Sequence, residues 1–438
     1  MTALSLISID SNKRYYPYGL FCLYEYLIEN TNSNIEICTF ENLSSFISEA
    51  TEKFQKSEYL GFSCYSWNVK DIKDAIDFSK KIYPYKKIIV GGPSAYEFVN
   101  VEKVDYVSLG AGEKNLKLLL EGKCNEKVLH NKISLNEKKY PFFNKHFLSI
   151  AKLHNYIPIE MSSGCGFQCA YCTQGVEKYG ERPLADIQEE LIYLKNNGVS
   201  HVNILDTTFN IDKKRFLHIV TLLKELGISW HAEVKIDIMD KKSIDALNCS
   251  TCTSLEIGLQ SYSVETNKLI NRRLDFEKFK NNLSEINSKK ISVRVNTIIG
   301  LPNESFQDWM NSVLFLISNF NIEITSNTLR LYPDTKLYQN KIEYGYQYDI
   351  EKEYSIIQSK MMSNKEILLA EVVSKIIKYL WNRLDHAGRE RVRDHVKNYF
   401  SCKFDRFIFF ILKNIKNRNN NKLSDNINNL LLEYGVLK

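Results

Sequence analysis

The feature that most limits how this chain can fold is an alternation of short apolar runs with longer amphipathic stretches, continuing to about residue 333. The first runs are LSLISI at 4–9, IEICTF at 35–40, YLGFSCY at 59–65, KKIIVGG at 86–92 and VDYVSLG at 104–110, with a helical pattern at Leu20 to Glu29. Continuous apolar runs of this length suit strands covered on both faces, and the intervals leave room for crossover helices, which is the pattern of a parallel sheet. Residues 1–125 therefore read as a doubly wound, Rossmann-like α/β domain, with Gly91-Gly92-Pro93 marking a sharp turn at the end of one strand. A charged, irregular stretch with Pro141 inside it reads as a linker over 126–152. Further runs follow at 156–162, 201–208, 229–235, 254–260, 292–300 and 325–333, enough for a partial (β/α)6 TIM-type barrel over 153–340 whose chemistry would gather at the C-terminal ends of its strands. From 341 to 438 the pattern reads as a helical C-terminal domain.

Composition narrows the class of function. The chain has 438 residues with 44% hydrophobic residues, and its 18 Gly and 8 Pro exclude collagen-like or linker-dominated designs. A net charge of +6 is too small at this length to indicate an electrostatic nucleic-acid binder, so no nucleic-acid partner is expected. The N-terminus lacks the pattern of a signal peptide, and the most apolar later run, FIFFIL at 407–412, falls far short of the roughly 20 residues that span a bilayer. A cytoplasmic protein without a membrane partner is the expectation. The Asn-rich run 417–421 reads as a solvated linker.

Ten cysteines without an export signal read as metal ligands or buried small hydrophobes rather than a disulfide framework. Three of them, Cys165, Cys169 and Cys172, fall within eight residues at the end of the first barrel strand. Grouped thiolates suit an iron–sulfur cluster, and with no fourth Cys close by one iron would stay open to a non-protein ligand. The plainer readings are a zinc knuckle, which would want a fourth Cys or His and finds none before His201, or a chance grouping of buried thiols.

The surroundings of the motif separate these readings. CxxxCxxC after the first strand, DTTFN at 206–210, LEIGLQS at 255–261, GLPNES at 300–305 and LRLYP at 329–333 occur in an order that resembles the radical S-adenosylmethionine superfamily. The resemblance implies that Cys165, Cys169 and Cys172 bind three irons of a [4Fe–4S] cluster while S-adenosylmethionine chelates the fourth. Reductive cleavage then yields methionine and a 5′-deoxyadenosyl radical that abstracts hydrogen from substrate. It also implies a one-electron reductant such as flavodoxin or ferredoxin. By position, Asp206 and Thr207 would face the methionine part of the cofactor, the acidic Asp206 suiting its ammonium group, with Gln260 and Ser261 facing the ribose and Gly300 with Leu331 the adenine. Two departures stand out: Ser163-Gly164-Cys165-Gly166 replaces an Arg-Gly-Cys-Pro run, and Asp-Thr-Thr replaces the Gly-Gly-Glu of many relatives.

The first domain resembles the cobalamin-binding domain that precedes the barrel in one subgroup of that superfamily. The carriers are YYPYGLFCLYEYL at 15–27, GFSCYSWN at 61–68, Gly91-Gly92-Pro93-Ser94 and Gly110-Ala-Gly-Glu113, so the implied corrinoid-facing residues are Ser63, Tyr65, Gly91, Gly92, Gly110 and Gly112. All eight histidines lie between His130 and His395, beyond the domain, and the Asp-x-His-x-x-Gly loop of other cobalamin proteins is absent. A corrinoid would then be held without an imidazole from this domain.

The implied function is radical methylation of an unactivated carbon in a peptide or specialised metabolite, with cobalamin relaying the methyl group. A runner-up is peptide epimerisation without bound cobalamin, in which Cys402 would donate hydrogen. From another class comes a non-catalytic iron–sulfur module for electron transfer or sensing, which would have no use for the cofactor-facing motifs. Cys249 and Cys252 have CxxC spacing but read as partly buried thiols rather than a second cluster site. Trp381, Arg383 and His386 read as a helical stripe packed on the barrel.

Overall fold

A computed structural model describes residues 3–9, 17–124, 126–153, 157–176, 178–286, 290–350, 352–390 and 393. It divides into two compact units, residues 1–158 with 182–199, and 159–181 with 200–438.

In the first unit β1 (Leu4–Ile9), α1 (Tyr18–Asn30), β2 (Ile35–Phe40), α2 (Leu43–Lys53), β3 (Tyr59–Ser63), α3 (Val69–Ile82), β4 (Lys87–Gly91), β5 (Tyr106–Gly110), α4 (Gly112–Leu120) and β6 (Val128–Asn131) build a six-stranded sheet of order β2-β1-β3-β4-β5-β6. Every pairing in it is parallel. Alternate residues of β1 serve opposite faces. Ile7 and Ile9 join Phe46, Phe54, Phe62 and Ile72 in one core, while Leu4 and Leu6 join Leu27, Leu116 and Leu119 in another. Helices thus cover both sides, α2 and α3 on one and α1 and α4 on the other, which is why the central strands β1, β3 and β4 are buried along most of their length.

The expected linker needs correction: β6 lies inside 126–152 and pairs with β5 from Val107↔Val128 to Gly110↔Asn131. Its sequence, VLHN, has only two apolar residues because an edge strand is half solvated, so periodicity gave no signal. Beyond it come α5 (Lys145–Leu153), β7 (Ile157–Ile159), the two-residue strands β8 (Ser162–Ser163) and β9 (Gly180–Glu181), and α6 (Leu184–Asn196).

The second sheet has the order β14-β13-β12-β11-β10-β7, built from β10 (His201–Ile204), β11 (Ser229–Val234), β12 (Cys252–Gln260), β13 (Ser292–Ile299) and β14 (Glu323–Thr328) together with β7. Between them run α7 (Lys213–Glu225), α8 (Lys241–Asn248), α9 (Val264–Leu269), α10 (Phe276–Glu285) and α11 (Phe306–Asn319). Such an open series of βα units is a partial TIM-type barrel, and the fold as a whole is α/β. Trp230 of β11 packs on Phe209 at 5.6 Å between ring centroids, and Trp309 of α11 donates to Thr297 of β13 at 3.3 Å, so these side chains mark the helix-covered face.

The segment after residue 341 also departs from expectation. It follows α12 (Lys336–Gln339) with an antiparallel hairpin, β15 (Gln347–Asp349) and β16 (Ser355–Gln358), and turns helical only at α13 (Asn364–Leu380). The N-cap Ser363 and Glu366 form a capping box that starts this helix. Cys402, FIFFIL at 407–412 and the Asn-rich run 417–421 lie outside the described residues.

Candidate functional site

The three-thiol loop is framed by the β8–β9 hairpin and begins at Gly164, whose φ of +69° is a left-handed turn that suits glycine. Cys165, Cys169 and Cys172 are free thiols of intermediate exposure, with Cys172 N–H bonded to Cys169 O at 3.1 Å. Burial pushes the Cys172 thiol up, and the nearby Cys169 and Cys165 thiols push the same way. Among the described residues no three His, Cys, Asp or Glu side chains converge on one point as a single ion would require. A cuboidal cluster asks for something different, one thiolate per iron, and three free thiols on one loop supply that donor set.

The backbone of the loop is pinned from two later segments. Ala170 N–H donates to Ile270 O at 2.8 Å, Asn271 Nδ2 donates to Gln168 O at 2.7 Å, and Leu337 N–H donates to Ala170 O at 3.0 Å. A Cβ at Gly175 would stand 2.9 Å from Phe167 O, so the loop closes on itself only because that side chain is missing.

Asp206 is placed differently from the sequence expectation. Its carboxylate, 3% exposed, accepts from Met161 N–H at 2.8 Å and from Ser162 Oγ at 2.5 Å, which ties the end of β10 to the start of the loop. Burial raises it to about 6 against these bonds. Both oxygens serve the scaffold. Thr207 donates to Gly164 O at 2.7 Å, and Thr208 Oγ1 lies 3.8 Å from Cys165 Sγ.

The sheet face opposite the helices is polar. It carries His201 and Asn203 on β10, His231 and Glu233 on β11, Glu256 on β12 and Arg294 on β13. TIM barrels normally fill this space with branched apolar side chains, so a polar lining argues for a lumen that receives a polar ligand. Glu256 is held by Arg294 at 2.8 Å, and Arg294 also bonds Glu323 at 3.0 Å. Glu233, next to Glu256 in register, is open to the lumen, and the desolvating walls with the Glu256 charge raise it to about 7.

At the top of β12 the ladder shifts between Gly258 and Gln260, and Gln260 adopts a φ of +67°. A Cβ at Gly258 would lie 2.4 Å from Gln260 Nε2 and 3.0 Å from Arg272 Nη2, so both side chains fold over that bare backbone. Arg272 donates to Gly258 O and, at 3.4 Å, to Tyr171 OH of the thiol loop, while its Nε is buried with no hydrogen-bond partner. Sequence reasoning singled out neither Glu233 nor Arg272. The signal was there in part, a Glu on the polar face of an alternating strand and a double Arg after LEIGLQS, but neither lies in the motifs themselves.

The remaining cofactor-facing expectations are covered by protein. Ser261 is 0% exposed and donates to Glu304, Gly300 O accepts from Tyr346 OH at 2.9 Å, and Leu331 is 0% exposed with its N–H on Tyr354 O at 2.9 Å. A Cβ at Gly300 would collide with Ile356 Cδ1 at 2.2 Å. These three build the walls rather than line the opening. Trp381 is likewise packed, donating to Ile322 O at 2.8 Å, whereas Arg383 lies over Tyr379 and His386 pairs with Glu390. Cys252 is buried and Cys249 exposed.

In the first unit Ser63, Tyr65, Gly91, Gly92, Gly110 and Gly112 all gather at the C-terminal edge of the parallel sheet, on the ends of β3, β4 and β5. Gly92, at φ +102°, lets the β4 turn press on the Cys64 backbone, where a Cβ would come within 2.5 Å of the carbonyl oxygen. A Cβ at Gly110 would meet Asn131 O at 2.7 Å.

Comparison with known proteins agrees with this geometry. A family model described as the radical SAM superfamily matches residues 159–316. An uncharacterized methyltransferase of Pyrococcus horikoshii is 22% identical over 74% of this chain and 78% of its own length. The ribosomal protein uS12 methylthiotransferase RimO of Clostridium kluyveri is 27% identical over 65% and 66%. Among solved structures, the radical S-adenosylmethionine methyltransferase TsrM of Kitasatospora setae, with cobalamin and a [4Fe–4S] cluster bound, has a TM-score of 0.61 at 17% identity, over 77% of this chain and 74% of that one. The cobalamin-dependent S-adenosylmethionine radical enzyme OxsB has a TM-score of 0.68 at 12% identity, over 100% and 84%. No described helix is long and apolar enough to cross a membrane.

Proposed function

This chain belongs to the radical S-adenosylmethionine superfamily, an enzyme of [4Fe–4S] and S-adenosylmethionine chemistry, and on that premise we propose that it is a cobalamin-dependent methyltransferase acting on an unactivated carbon of a peptide or specialised metabolite. The observation that carries the reading is the pairing of a pinned loop bearing three free thiols with a polar lumen, in a chain that also has a doubly wound parallel sheet with a glycine-lined C-terminal edge. Relatives named as methyltransferases and methylthiotransferases support it. When bound, the cluster supplies the electron that cleaves S-adenosylmethionine, and a corrinoid supplies a methyl carrier.

The chain's own residues then bind and orient. Cys165, Cys169 and Cys172 would each hold one iron. Glu233 is the open carboxylate for the cofactor's ammonium, the part sequence reasoning gave to Asp206, and Arg272 is the cation for its carboxylate. Thr207 and Gln260, both only partly buried, would be left to contact the cofactor directly. Asp206, Ser261, Gly300 and Leu331 hold the walls that keep those groups in place. Electrons would come from flavodoxin or ferredoxin.

The test is anaerobic reconstitution with iron, sulfide and hydroxocobalamin, then turnover with S-adenosylmethionine, a reductant and candidate peptides or metabolites. About four irons and one corrinoid per chain, with S-adenosylhomocysteine and 5′-deoxyadenosine formed together, are the expected result. Four irons with solvent deuterium entering a peptide, and no methyl gain, would replace methylation by epimerisation.

A further inference from the structure

The turn that follows β11 buries two opposite charges that none of the assignments above uses. Lys235 is 5% exposed and Asp237 4%. The two form an ion pair, Lys235 Nζ also donates to Arg273 O at 2.6 Å, and Asp237 Oδ2 accepts from Asp275 N–H at 3.2 Å. The backbone beneath is held as well, with Asn210 Nδ2 donating to Lys235 O at 2.8 Å and Asn210 Oδ1 accepting from Lys235 N–H at 2.9 Å. The side chain of Lys235 is thus tied at both ends.

Taking two charges out of water is expensive, and such a pair seldom stabilises a fold more than apolar residues of the same volume would. Its neighbours point to another role. Lys235 Nζ stands 5.3 Å from the centroid of the Phe167 ring, and Phe167 lies between Cys165 and Cys169 in the thiol loop. Burial lowers the proton affinity of the Lys235 ammonium, against the attraction of Asp237 and, more weakly, of Cys169. Arg272, also drawn to Cys169, repels it. Asp237 therefore holds a cation against the loop that burial and Arg272 would otherwise discharge.

We propose that Lys235, held by Asp237, is a fixed buried cation that raises the reduction potential of the [4Fe–4S] cluster on Cys165, Cys169 and Cys172, so that a one-electron donor of the flavodoxin or ferredoxin class can reduce it. The inference rests on the cluster reading of the thiol loop. A reduced cluster carries one more negative charge than an oxidised one, so a nearby positive charge favours it, and buried surroundings screen that field weakly. Lys235 acts here through its field and through the loop it packs on, as a tuning group outside the ligand set.

The experiment uses the full chain reconstituted anaerobically with iron and sulfide, with iron counted per chain and the cluster's midpoint potential read by a redox titration followed by electron paramagnetic resonance. Lys235→Arg keeps the charge and should stay near the wild-type potential. Lys235→Gln combined with Asp237→Asn removes both charges and leaves neither ion unpaired. It should shift the midpoint to more negative values, lowering the ratio of reduced to oxidised cluster at least about threefold at a fixed solution potential. Asp237→Asn added to Lys235→Arg leaves a cation that keeps its proton, and should shift the midpoint the opposite way. A purely structural role would move both double variants in one direction, and that result, or two unmoved potentials at about four irons per chain, would overturn the proposal. Where the Lys235→Arg variants load no iron, the uncharged double variant decides alone: a midpoint at or above that of the wild type overturns the proposal. An uncharged double variant that loads no iron would make the two charges part of loop assembly and overturn it too. A wild type that binds no iron would overturn the cluster reading itself, and the inference with it.

Discussion

Arg272 folds over Gly258, donating to its carbonyl while Nη2 stands 3.0 Å from where a Cβ would be. The same empty position receives Gln260 Nε2. Gly258 does not have a left-handed backbone, and the atoms a Cβ would strike are the far ends of two flexible side chains. Gly258→Ala should therefore fold with a melting temperature near that of the wild type, yet bind S-adenosylmethionine at least about tenfold more weakly as Arg272 and Gln260 are pushed aside. Calorimetric titration of the cluster-loaded protein checks this, and unchanged affinity would remove both side chains from the cofactor site.

Two glycines separate backbone strain from steric contact. Gly122 has a φ of +68° with nothing within 4 Å of a Cβ, whereas Gly92 has a φ of +102° and a backbone oxygen 2.5 Å away. Gly122→Ala should cost about 1 kcal/mol, the usual penalty for a side chain in the left-handed region, and Gly92→Ala distinctly more, because Cys64 backbone cannot yield as a side chain can. Urea unfolding of the two variants side by side gives the comparison, and equal losses would show that the Gly92 turn relaxes freely.

The central strand β1 was legible because both faces are buried, and LSLISI matches it residue for residue; IEICTF matches the edge strand β2 equally well because four of its six residues, Ile35, Ile37, Cys38 and Phe40, are apolar. Where one face is wet the signal faded, as in VLHN of β6 and in the tyrosine-rich hairpin β15–β16. The thiol loop was legible as a spacing, since three cysteines in eight residues need no tertiary information. The partners of the carboxylates were not. Whether Asp206 turns toward the lumen or back to Met161 N–H depends on where β7 ends relative to β10, and no local pattern encodes that register. The same holds for Ser261, whose neighbour Glu304 is 43 residues away.

Glu304 is a buried carboxyl with a cost that depends on pH. It is 0% exposed, accepts from Ser261 through one oxygen and has no partner for the other, and burial raises it from 4.5 to about 8. A folded state that holds the proton more tightly than the unfolded chain is favoured below 4.5 and loses that advantage as pH rises toward 8. Glu304→Gln keeps an acceptor for Ser261 and cannot ionise. Its melting temperature should fall less than that of the wild type between pH 5 and pH 8, so the difference between the two curves should grow with pH. Parallel curves would mean that Glu304 titrates alike in both states.

As the proposed partner of the cofactor's ammonium, Glu233 would give binding its own pH dependence. Its carboxyl is raised to about 7 by desolvation and by Glu256, so near neutrality a large share carries a proton and cannot pair with an ammonium group. Binding of S-adenosylmethionine selects the ionised form, and affinity should therefore strengthen as pH rises from 6 toward the carboxyl's own titration and then level off. Glu233→Gln should bind at least about tenfold more weakly at pH 7.5 and lose that slope, because the amide neither ionises nor pairs with a cation. Asp206→Asn is the matched control. Its carboxylate faces Met161 and Ser162, so the variant should lose stability while keeping the slope of cofactor affinity with pH. If Asp206→Asn flattened the slope and Glu233→Gln left it in place, the ammonium would belong to Asp206 after all, as the sequence pattern alone suggested.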